Sequence, residues 1–288
     1  MRGARRSVTA PLRSGFTLAL GGGGGRGWAH IGVARALDEA GLRPGLVVGT
    51  SMGAIVGAGI AAGVAPREME RLAGEFSVSR AVRRGGRLAL FDPRPLLEHL
   101  RPILGDPLIE ELPRPLAVSA YDLVAGQPTA ITSGSLLDAL ERSIAVPIVF
   151  PPTAVEGAVW CDAGPWESVP VSLARRLSMA PVIGVWADIP KPGLLASPPV
   201  ATLLRRLGGR LGTGSPADAL TTRRFAALLA TRWADPVHVE EPDLMIRPRL
   251  GLASGLHFGR VGRMVELGYR DGRAALLAAG IGAERHVA

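Results

Sequence analysis

The apolar positions of this chain alternate between short continuous runs and stretches with helical spacing. The run at 16–20 precedes five glycines, and over 28–40 the apolar residues recur with the spacing of a helix that Gly41 ends as a C-cap. A second run at 46–48 leads into a glycine-flanked turn and another apolar helix to about residue 62. Two strand–turn–helix units in succession predict a right-handed βαβ unit and a parallel sheet.

The rest of the chain continues this alternation. We expect a flexible basic tail over 1–14 and a single domain over 15–288, with cap or peripheral helical segments at 66–112 and 190–236. Further strands are predicted at 116–120, 128–131, 155–161, 182–187 and 244–246, helices at 135–145 with Ser135 as N-cap, at 200–233 and at 261–279, and a proline-rich loop at 190–199.

Length and composition limit the class of protein. The 288 residues are 47% hydrophobic, enough to bury a core, and the longest apolar stretch, 54–65, is far shorter than the ~20 residues that cross a bilayer. The first residues carry positive charge without a following apolar segment, so we expect no secretory signal and a cytoplasmic protein. One cysteine, Cys161, and five scattered histidines predict neither a disulfide nor a metal site.

The chain is basic, with a formal net charge of +8 that comes almost entirely from arginine. Such a charge suits an anionic partner. The arginines are spread along the chain and only 5% of the residues are aromatic, which argues against nucleic acid and favours peripheral contact with an anionic surface of the inner membrane. A genomic bias toward arginine explains the same composition equally well.

Gly49-Thr50-Ser51-Met52-Gly53 is a G-x-S-x-G segment between a predicted strand and a predicted helix. The flanking glycines allow a turn tight enough to display the Ser51 hydroxyl at the amino end of the helix, where the helix dipole favours developing negative charge. This context predicts that Ser51 is a nucleophile. An ordinary helix-capping serine is the alternative interpretation.

The glycine run is the second candidate feature. Residues 21–27 offer backbone N–H groups free of side chains, which can bind the oxyanion formed when a serine attacks a carbonyl. The run also contains G-x-G-x-x-G at Gly22, Gly24 and Gly27, so a nucleotide phosphate is a competing ligand. The acidic residue expected after the second strand of a dinucleotide site is missing, as is a P-loop lysine, which disfavours a nucleotide-binding function.

A serine nucleophile needs a base, and the histidines are poor candidates. His30 falls inside the first helix and His99 in an irregular segment. His238 and His257 follow the candidate acid in the order of a Ser-Asp-His triad, but neither lies in a pattern that would position it.

Asp162 is the better candidate base. It ends a predicted strand within Asp162-Ala163-Gly164, and its carboxylate is ionised at neutral pH, so it can take the Ser51 proton directly. An aspartate that merely begins a turn is the alternative interpretation.

Taken together and in this order, the three segments resemble the patatin-like phospholipase family. GGGGGRGWAHIGVARALDEAG is similar to the family's oxyanion segment, VVGTSMGAIVGAGIAAG to its nucleophile elbow, SIAVPIVFPPTAVEGAVWCDAG to the segment that leads to its aspartate, and DLMIRPRLGLASGLHFGRV to the closing strand and loop of bacterial members. The resemblance covers most of the chain. It implies an α/β fold, a three-layer α/β/α sandwich with a mainly parallel central sheet, similar to the catalytic domain of cytosolic phospholipase A2.

The resemblance also implies roles for single residues. Ser51 would be the nucleophile and Asp162 its base, in a Ser-Asp dyad that hydrolyses carboxylic esters of phospholipids or other acyl lipids without a metal or cofactor. The oxyanion hole and the remaining motif positions would comprise Gly22, Gly23 and Gly24, Arg26 holding the loop or assisting the charge, and Gly27, Gly49, Gly53, Ala163 and Gly164.

Two positions depart from the family pattern. Ala163 stands where the family usually has glycine, so a positive φ there would strain its Cβ and lower activity. Ser168 stands where an asparagine often precedes Val-Pro, and we expect it to replace a structural hydrogen bond. These departures leave a catalytically weak or inactive lipid-binding protein of the same fold as the alternative function.

Overall fold

The computed structural model describes residues 12, 14–76, 83–84, 91–146, 149–187, 240–251 and 258–282. The predicted segment at 190–236 lies outside the described residues, as does most of the predicted tail at 1–14. Leu12, within that predicted tail, is described: it is only 1% exposed and packs in the core.

Strands and helices alternate along the described residues. The strands are β1 (Thr17–Leu20), β2 (Leu46–Thr50), β3 (Arg83–Arg84), β4 (Phe91–Asp92), β5 (Leu116–Asp122), β6 (Gln127–Ile131), β7 (Thr153–Val155), β8 (Ala158–Cys161), β9 (Val182–Val185) and β10 (Leu244–Ile246). The helices are α1 (Ala29–Glu39), α2 (Met52–Ala61), α3 (Pro66–Gly74), α4 (Arg94–Leu104), α5 (Leu136–Ile144), α6 (Val171–Leu177) and α7 (Val261–Ala278), with 3-10 helices at Gly24–Trp28 and Ile109–Glu111.

The predicted parallel sheet is confirmed. Within the described residues, β10, β9, β1, β2 and β5 are parallel neighbours in that order, while β6 and β8 pair antiparallel with β5 and β7 pairs antiparallel with β8. The β1–α1–β2 unit forms as expected, and Gly41 ends α1 with φ 70° while the Leu42 N–H donates to the Leu37 carbonyl at 2.9 Å.

Helices cover both faces of this sheet. Successive residues of a strand point to opposite sides, so Leu18 and Leu20 pack with α1, α2, α5 and α7, whereas Ala19 and Val48 pack with α6 on the other side. The three-layer α/β/α sandwich with a mainly parallel sheet is therefore confirmed. No helix among the described residues is both long enough and apolar enough to cross a bilayer.

The single strand predicted at 155–161 is wrong. Glu156 and Gly157 both have positive φ, 50° and 80°, and form a two-residue turn between the antiparallel strands β7 and β8. Segment 66–112 contains the expected short helices α3 and α4, and also the small antiparallel ribbon β3–β4, which the sequence pattern did not predict.

Candidate active site

Ser51 occupies a strained turn at the carboxyl end of β2. Its φ of 56° and ψ of −123° are unusual for a residue with a side chain, and such a conformation costs about 1–3 kcal/mol unless its surroundings fix it. The Ser51 carbonyl accepts the N–H groups of Ala54 and Ile55 at 2.9 and 3.2 Å, so the turn runs straight into α2. The hydroxyl thereby sits at the positive end of the helix dipole, as in a nucleophile elbow.

The two glycines of the G-x-S-x-G segment are required by close backbone contacts. A Cβ on Gly49 would lie 2.5 Å from the Gly53 carbonyl oxygen. A Cβ on Gly53 would overlap the Leu20 carbonyl oxygen and lie 2.5 Å from that of Gly21, at the end of β1. The spacing of these glycines thus lets the serine turn pack directly against the glycine-rich loop.

Asp162 lies at the same edge of the sheet and on the same side of β5 as Ser51, because β6 pairs with the opposite side of β5 alongside both the β2 and the β8 pairings. β2 pairs with β5 through Thr50 and Ser119, and β8 pairs with β5 through Cys161 and Tyr121. Continuing the parallel and the antiparallel register by one residue places both Ser51 and Asp162 at the level of Ala120. The sheet topology therefore brings the two candidate catalytic residues, 111 positions apart in the sequence numbering, to the same side of one small residue.

The Asp162 side chain is 3% exposed and lies in a mainly apolar setting. The residues next to it in the chain, Cys161 and Ala163, belong to a buried cluster with the stacked rings of Tyr121 and Trp166, whose centroids are 3.7 Å apart. The carboxylate accepts the Gly164 N–H at 2.7 Å, so Asp162 does begin a turn, as the alternative interpretation of this residue expected. That turn fixes the direction of the carboxylate and is compatible with a role as base.

The expected strain at Ala163 is absent. Among the described residues with side chains, only Ser51 and Glu156 have positive φ. Ala163 is fully buried, and its carbonyl accepts the N–H groups of Trp166 and Glu167, both at 2.9 Å. Alanine therefore fits this position without the conformational cost that would lower activity.

The glycine-rich loop passes directly beside Ser51. A Cβ on Gly22 would lie 3.6 Å from the Ser51 Cβ. The N–H of Gly22, however, donates to the Ser168 carbonyl at 3.0 Å, so in this conformation it already has an acceptor within the protein. No backbone acceptor among the described residues takes the N–H groups of Gly23 or Gly24, which begin the 3-10 helix and have the positive φ that glycine tolerates.

Arg26 anchors this loop to the segments that follow the neighbouring strands β9 and β10. Its side chain is buried, with Nε donating to the Ala187 carbonyl and Nη1 to the Gly251 carbonyl, each at 2.9 Å. Gly27 packs so closely on Met52 that a Cβ would overlap it. These contacts support the expected loop-holding role of Arg26.

His30 holds the same loop through a hydrogen bond from α1. It is fully buried in α1, and its Nε2–H donates to the Gly21 carbonyl at 2.8 Å. Burial lowers the pKa of His30 to about 4, against the smaller raising effect of that hydrogen bond. A neutral imidazole committed to the loop is no base for Ser51.

The other histidines provide no base either. His99 packs edge-on against Phe76, with ring centroids 5.5 Å apart. His238 and His257 lie outside the described residues. No cluster of metal-ligating side chains is found in the described part of the chain.

Sequence reasoning missed the buried residues that hold the backbone of the site through hydrogen bonds. The Ser51 N–H donates to Ser143 Oγ at 2.9 Å, and the Ser143 hydroxyl donates to the Ser119 carbonyl at 2.6 Å. Glu167 accepts the N–H and hydroxyl of Ser172, both at 2.7 Å, and so holds the loop whose Ser168 carbonyl contacts Gly22. The Ser168 carbonyl thus supplies a structural hydrogen bond to the glycine-rich loop.

A crevice of about 710 Å³ lies at the opposite edge of the sheet. It is lined by Phe16, Leu46 and Leu116, where β1, β2 and β5 begin. Open α/β sheets bind ligands at the carboxyl ends of their strands, where Ser51 and Asp162 lie. We therefore assign the chemistry to that edge and not to the crevice.

Comparison with known proteins agrees with this geometry. The model of the patatin-like phospholipase family matches residues 18–175, more than half of the chain. The chain belongs to the patatin-like phospholipase family. The match includes the glycine-rich loop, the Ser51 turn and Asp162 of this patatin-like protein.

Several relatives are known by sequence. An uncharacterized NTE family protein of Mycobacterium tuberculosis is 37% identical over 183 residues, which are 60% of this chain and 46% of that protein. A second one from the same species is 29% identical over 279 residues, covering 91% and 46%. Patatin-like phospholipase domain-containing protein 6 of Mus musculus is 26% identical over 290 residues, covering 93% and 21%. The patatin-like chain thus spans less than half the length of these relatives.

Among solved structures, VipD from Legionella pneumophila matches with a TM-score of 0.47 and 14% identity. The match covers 92% of this chain and 67% of that one.

Proposed function

We propose that this patatin-like protein is a serine lipid acyl hydrolase of the phospholipase A, lysophospholipase or esterase type. Ser51 is the nucleophile, Asp162 its base, and the N–H groups of Gly23 and Gly24 form the oxyanion hole. One observation carries the proposal: a strained serine at a helix amino end shares a sheet edge with a buried carboxylate, both at the level of Ala120. Family membership supports the substrate class that we propose, an acyl lipid ester.

The reaction proceeds in two half-reactions. Ser51 Oγ attacks the ester carbonyl carbon while Asp162 accepts the hydroxyl proton, and the resulting oxyanion is bound by the loop N–H groups. The tetrahedral intermediate collapses, the alcohol leaves with the proton from Asp162, and an acyl-Ser51 ester remains. A water then gives a proton to Asp162 and attacks this ester, and release of the carboxylic acid returns the proton to Ser51.

A weak base suffices in this arrangement because the surrounding groups lower the activation barrier. The dipole of α2 and the loop N–H groups stabilise the developing charge, and each such donor lowers a barrier by about 3 kcal/mol in related chemistry. Asp162 is nearly excluded from water, so its carboxylate gives up little hydration energy when it takes the proton.

The net charge of +8 supports peripheral contact with an anionic phospholipid surface, which would supply the substrate. In this proposal the protein acts from the cytoplasmic side of the inner membrane and binds no nucleic acid. The alternative of an inactive lipid-binding protein loses its main argument, because Ala163 is unstrained.

The test uses a p-nitrophenyl acyl ester and a fluorophosphonate probe. Ser51→Ala is expected to abolish turnover and labelling, and Asp162→Asn to lower turnover by at least about 100-fold, the usual scale of general-base catalysis. Ser135→Ala, which changes a half-buried helix cap at the other end of α5, is the control and is expected to keep wild-type kcat. Wild-type turnover in folded Ser51→Ala, or labelling mapped to another residue, would contradict the proposal.

A further inference from the structure

The end of α5 contacts the backbone of both proposed dyad residues. Ser143, in its last turn, accepts the Ser51 N–H through Oγ at 2.9 Å. Two residues further on, the Ala145 carbonyl accepts the Asp162 N–H at 3.0 Å. A single helix end therefore ties the nucleophile and its base to the same rigid element.

The Ser143 hydroxyl is fully committed by these contacts. It is 0% exposed, accepts from Ser51 and donates to the Ser119 carbonyl at 2.6 Å, so its rotation is fixed at both ends. The bond to Ser119 leaves the oxygen lone pairs directed to the Ser51 N–H. The Ser119 carbonyl in β5 thus orients the Ser143 hydroxyl oxygen that accepts the Ser51 N–H.

The Ser51 N–H depends on this acceptor. Ser51 is 8% exposed, and a buried N–H without a partner is unfavourable. Its left-handed φ of 56° also needs an external restraint, because a side-chain-bearing residue relaxes from that region when it can. The hydrogen bond to Ser143 satisfies both requirements in the conformation that displays the Ser51 hydroxyl at the start of α2.

We propose that Ser143 is a positioning residue that holds Ser51 in its reactive conformation. The inference rests on the proposed function. Ser143 is fully buried, so it acts only through the Ser51 backbone and does not touch the substrate. Its loss is expected to slow the attack by Ser51 in protein that is still folded.

The test compares Ser143→Ala with the matched control Ser119→Ala. Ser119 is equally buried, its own hydroxyl has no partner among the described residues, and its substitution leaves the carbonyl in place. The readout is the first-order rate constant with which saturating fluorophosphonate labels Ser51, well below the unfolding temperature. A merely structural role would lower the fraction of protein that reacts, but not this rate constant.

We expect Ser143→Ala to label about ten-fold more slowly than wild type, Ser119→Ala to stay within about two-fold, and Ser143→Thr, which keeps a hydroxyl, to recover most of the rate. If Ser143→Ala does not fold, Ser143→Cys replaces it with the same expectation, because sulfur is a weak acceptor of similar size. An unchanged rate constant, or equal slowing in Ser119→Ala, overturns the inference.

Failure of the proposed function is recognised separately. Wild-type protein that is not labelled at Ser51 overturns the proposed hydrolase function. Hydrogen exchange at the Ser51 amide then tests whether Ser143 holds the serine turn. Faster exchange in Ser143→Ala than in Ser119→Ala supports the role of Ser143 in holding this turn. Equal exchange in the two variants overturns it.

Discussion

At the scale of single residues, the loop beside Ser51 is supported by a group that must stay uncharged. His30 is fully buried, its Nε2–H donates to the Gly21 carbonyl, and its Nδ1 has no partner among the described residues. Protonation would place a second N–H in surroundings without an acceptor. The loop is thereby built on a titratable group whose neutral form is the only one the core accommodates.

This arrangement predicts a loss of stability in mild acid. The folded pKa of His30 is about 4 against an ordinary 6.5, so the unfolded chain binds the proton first. The stability that the neutral His30 side chain contributes is fully present above pH 6.5. It is lost as the pH falls toward 4, and the free energy of unfolding then drops by up to about 3 kcal/mol, at 1.36 kcal/mol per pH unit. Urea unfolding between pH 7 and pH 4 measures it.

His30→Gln is the control for that measurement, because it removes this titration and leaves the other groups in place. The difference between wild type and variant in the slope of unfolding free energy against pH reports the titration of His30 alone. A wild-type free energy of unfolding that varies with pH no more than that of His30→Gln would refute the prediction.

At the scale of elements, close helix packing explains why glycine recurs in α1 and α7. A Cβ on Gly32 would overlap the Val265 carbonyl oxygen, and one on Gly268 would overlap the Ala29 carbonyl oxygen. A Cβ on Gly272 would lie 3.3 Å from Val33 Cγ2, which is a tight contact. The two helices therefore approach through backbone atoms, and this contact holds α1, which begins directly after the glycine-rich loop.

Gly268→Ala is expected to destabilise the fold by about 1–3 kcal/mol, because the methyl group meets backbone that cannot move without separating the helices. Gly262→Ala, in the same helix, is the matched control. A Cβ at Gly262 meets nothing within 4 Å, so alanine there should stabilise by about 0.5–1 kcal/mol. Thermal and urea unfolding of both variants would test this, and a neutral Gly268→Ala would contradict the packing argument.

Sequence pattern predicted these elements where local signals agree with the fold. The β1–α1–β2 unit, the Ser51 turn and the Ser135 cap, whose Oγ accepts the Asp138 N–H at 3.2 Å, follow from periodicity and turn residues. The β7–β8 hairpin was missed because Glu156 is not a typical residue for positive φ. Ser143 was missed because its partner lies 92 positions away, and no local pattern encodes such a contact.

At the scale of the whole molecule, the chain beyond the family match completes the sheet and the site. β9 pairs with β1, and α7 packs along α1. Arg26 donates to carbonyls at Ala187 and Gly251, and the Trp28 indole N–H donates to the Phe258 carbonyl at 3.0 Å. The glycine-rich loop therefore depends on residues that follow position 175.

The C-terminal part is itself fastened by a buried carboxylate. Asp271 in α7 accepts the Arg249 backbone N–H at 2.7 Å and the Arg270 guanidinium at 2.9 Å. Desolvation alone would raise the pKa of Asp271, but these hydrogen bonds and the two positive charges outweigh it and hold the pKa at about 2. The segment after β10 is thereby joined to α7, which packs on α1.

A chain that ends at residue 175 is accordingly expected to lack a cooperative fold, although it contains Ser51, Asp162 and the glycine-rich loop. Its β1 would become an unpaired sheet edge, α1 would expose the glycine face that α7 covers, and Arg26 would lose both carbonyl partners. A chain that ends at residue 282 keeps every one of these contacts and is the control. Near-UV circular dichroism and thermal unfolding distinguish the two, and a cooperative transition in the shorter chain at the temperature of the control would show that the family-matched segment folds without its neighbours.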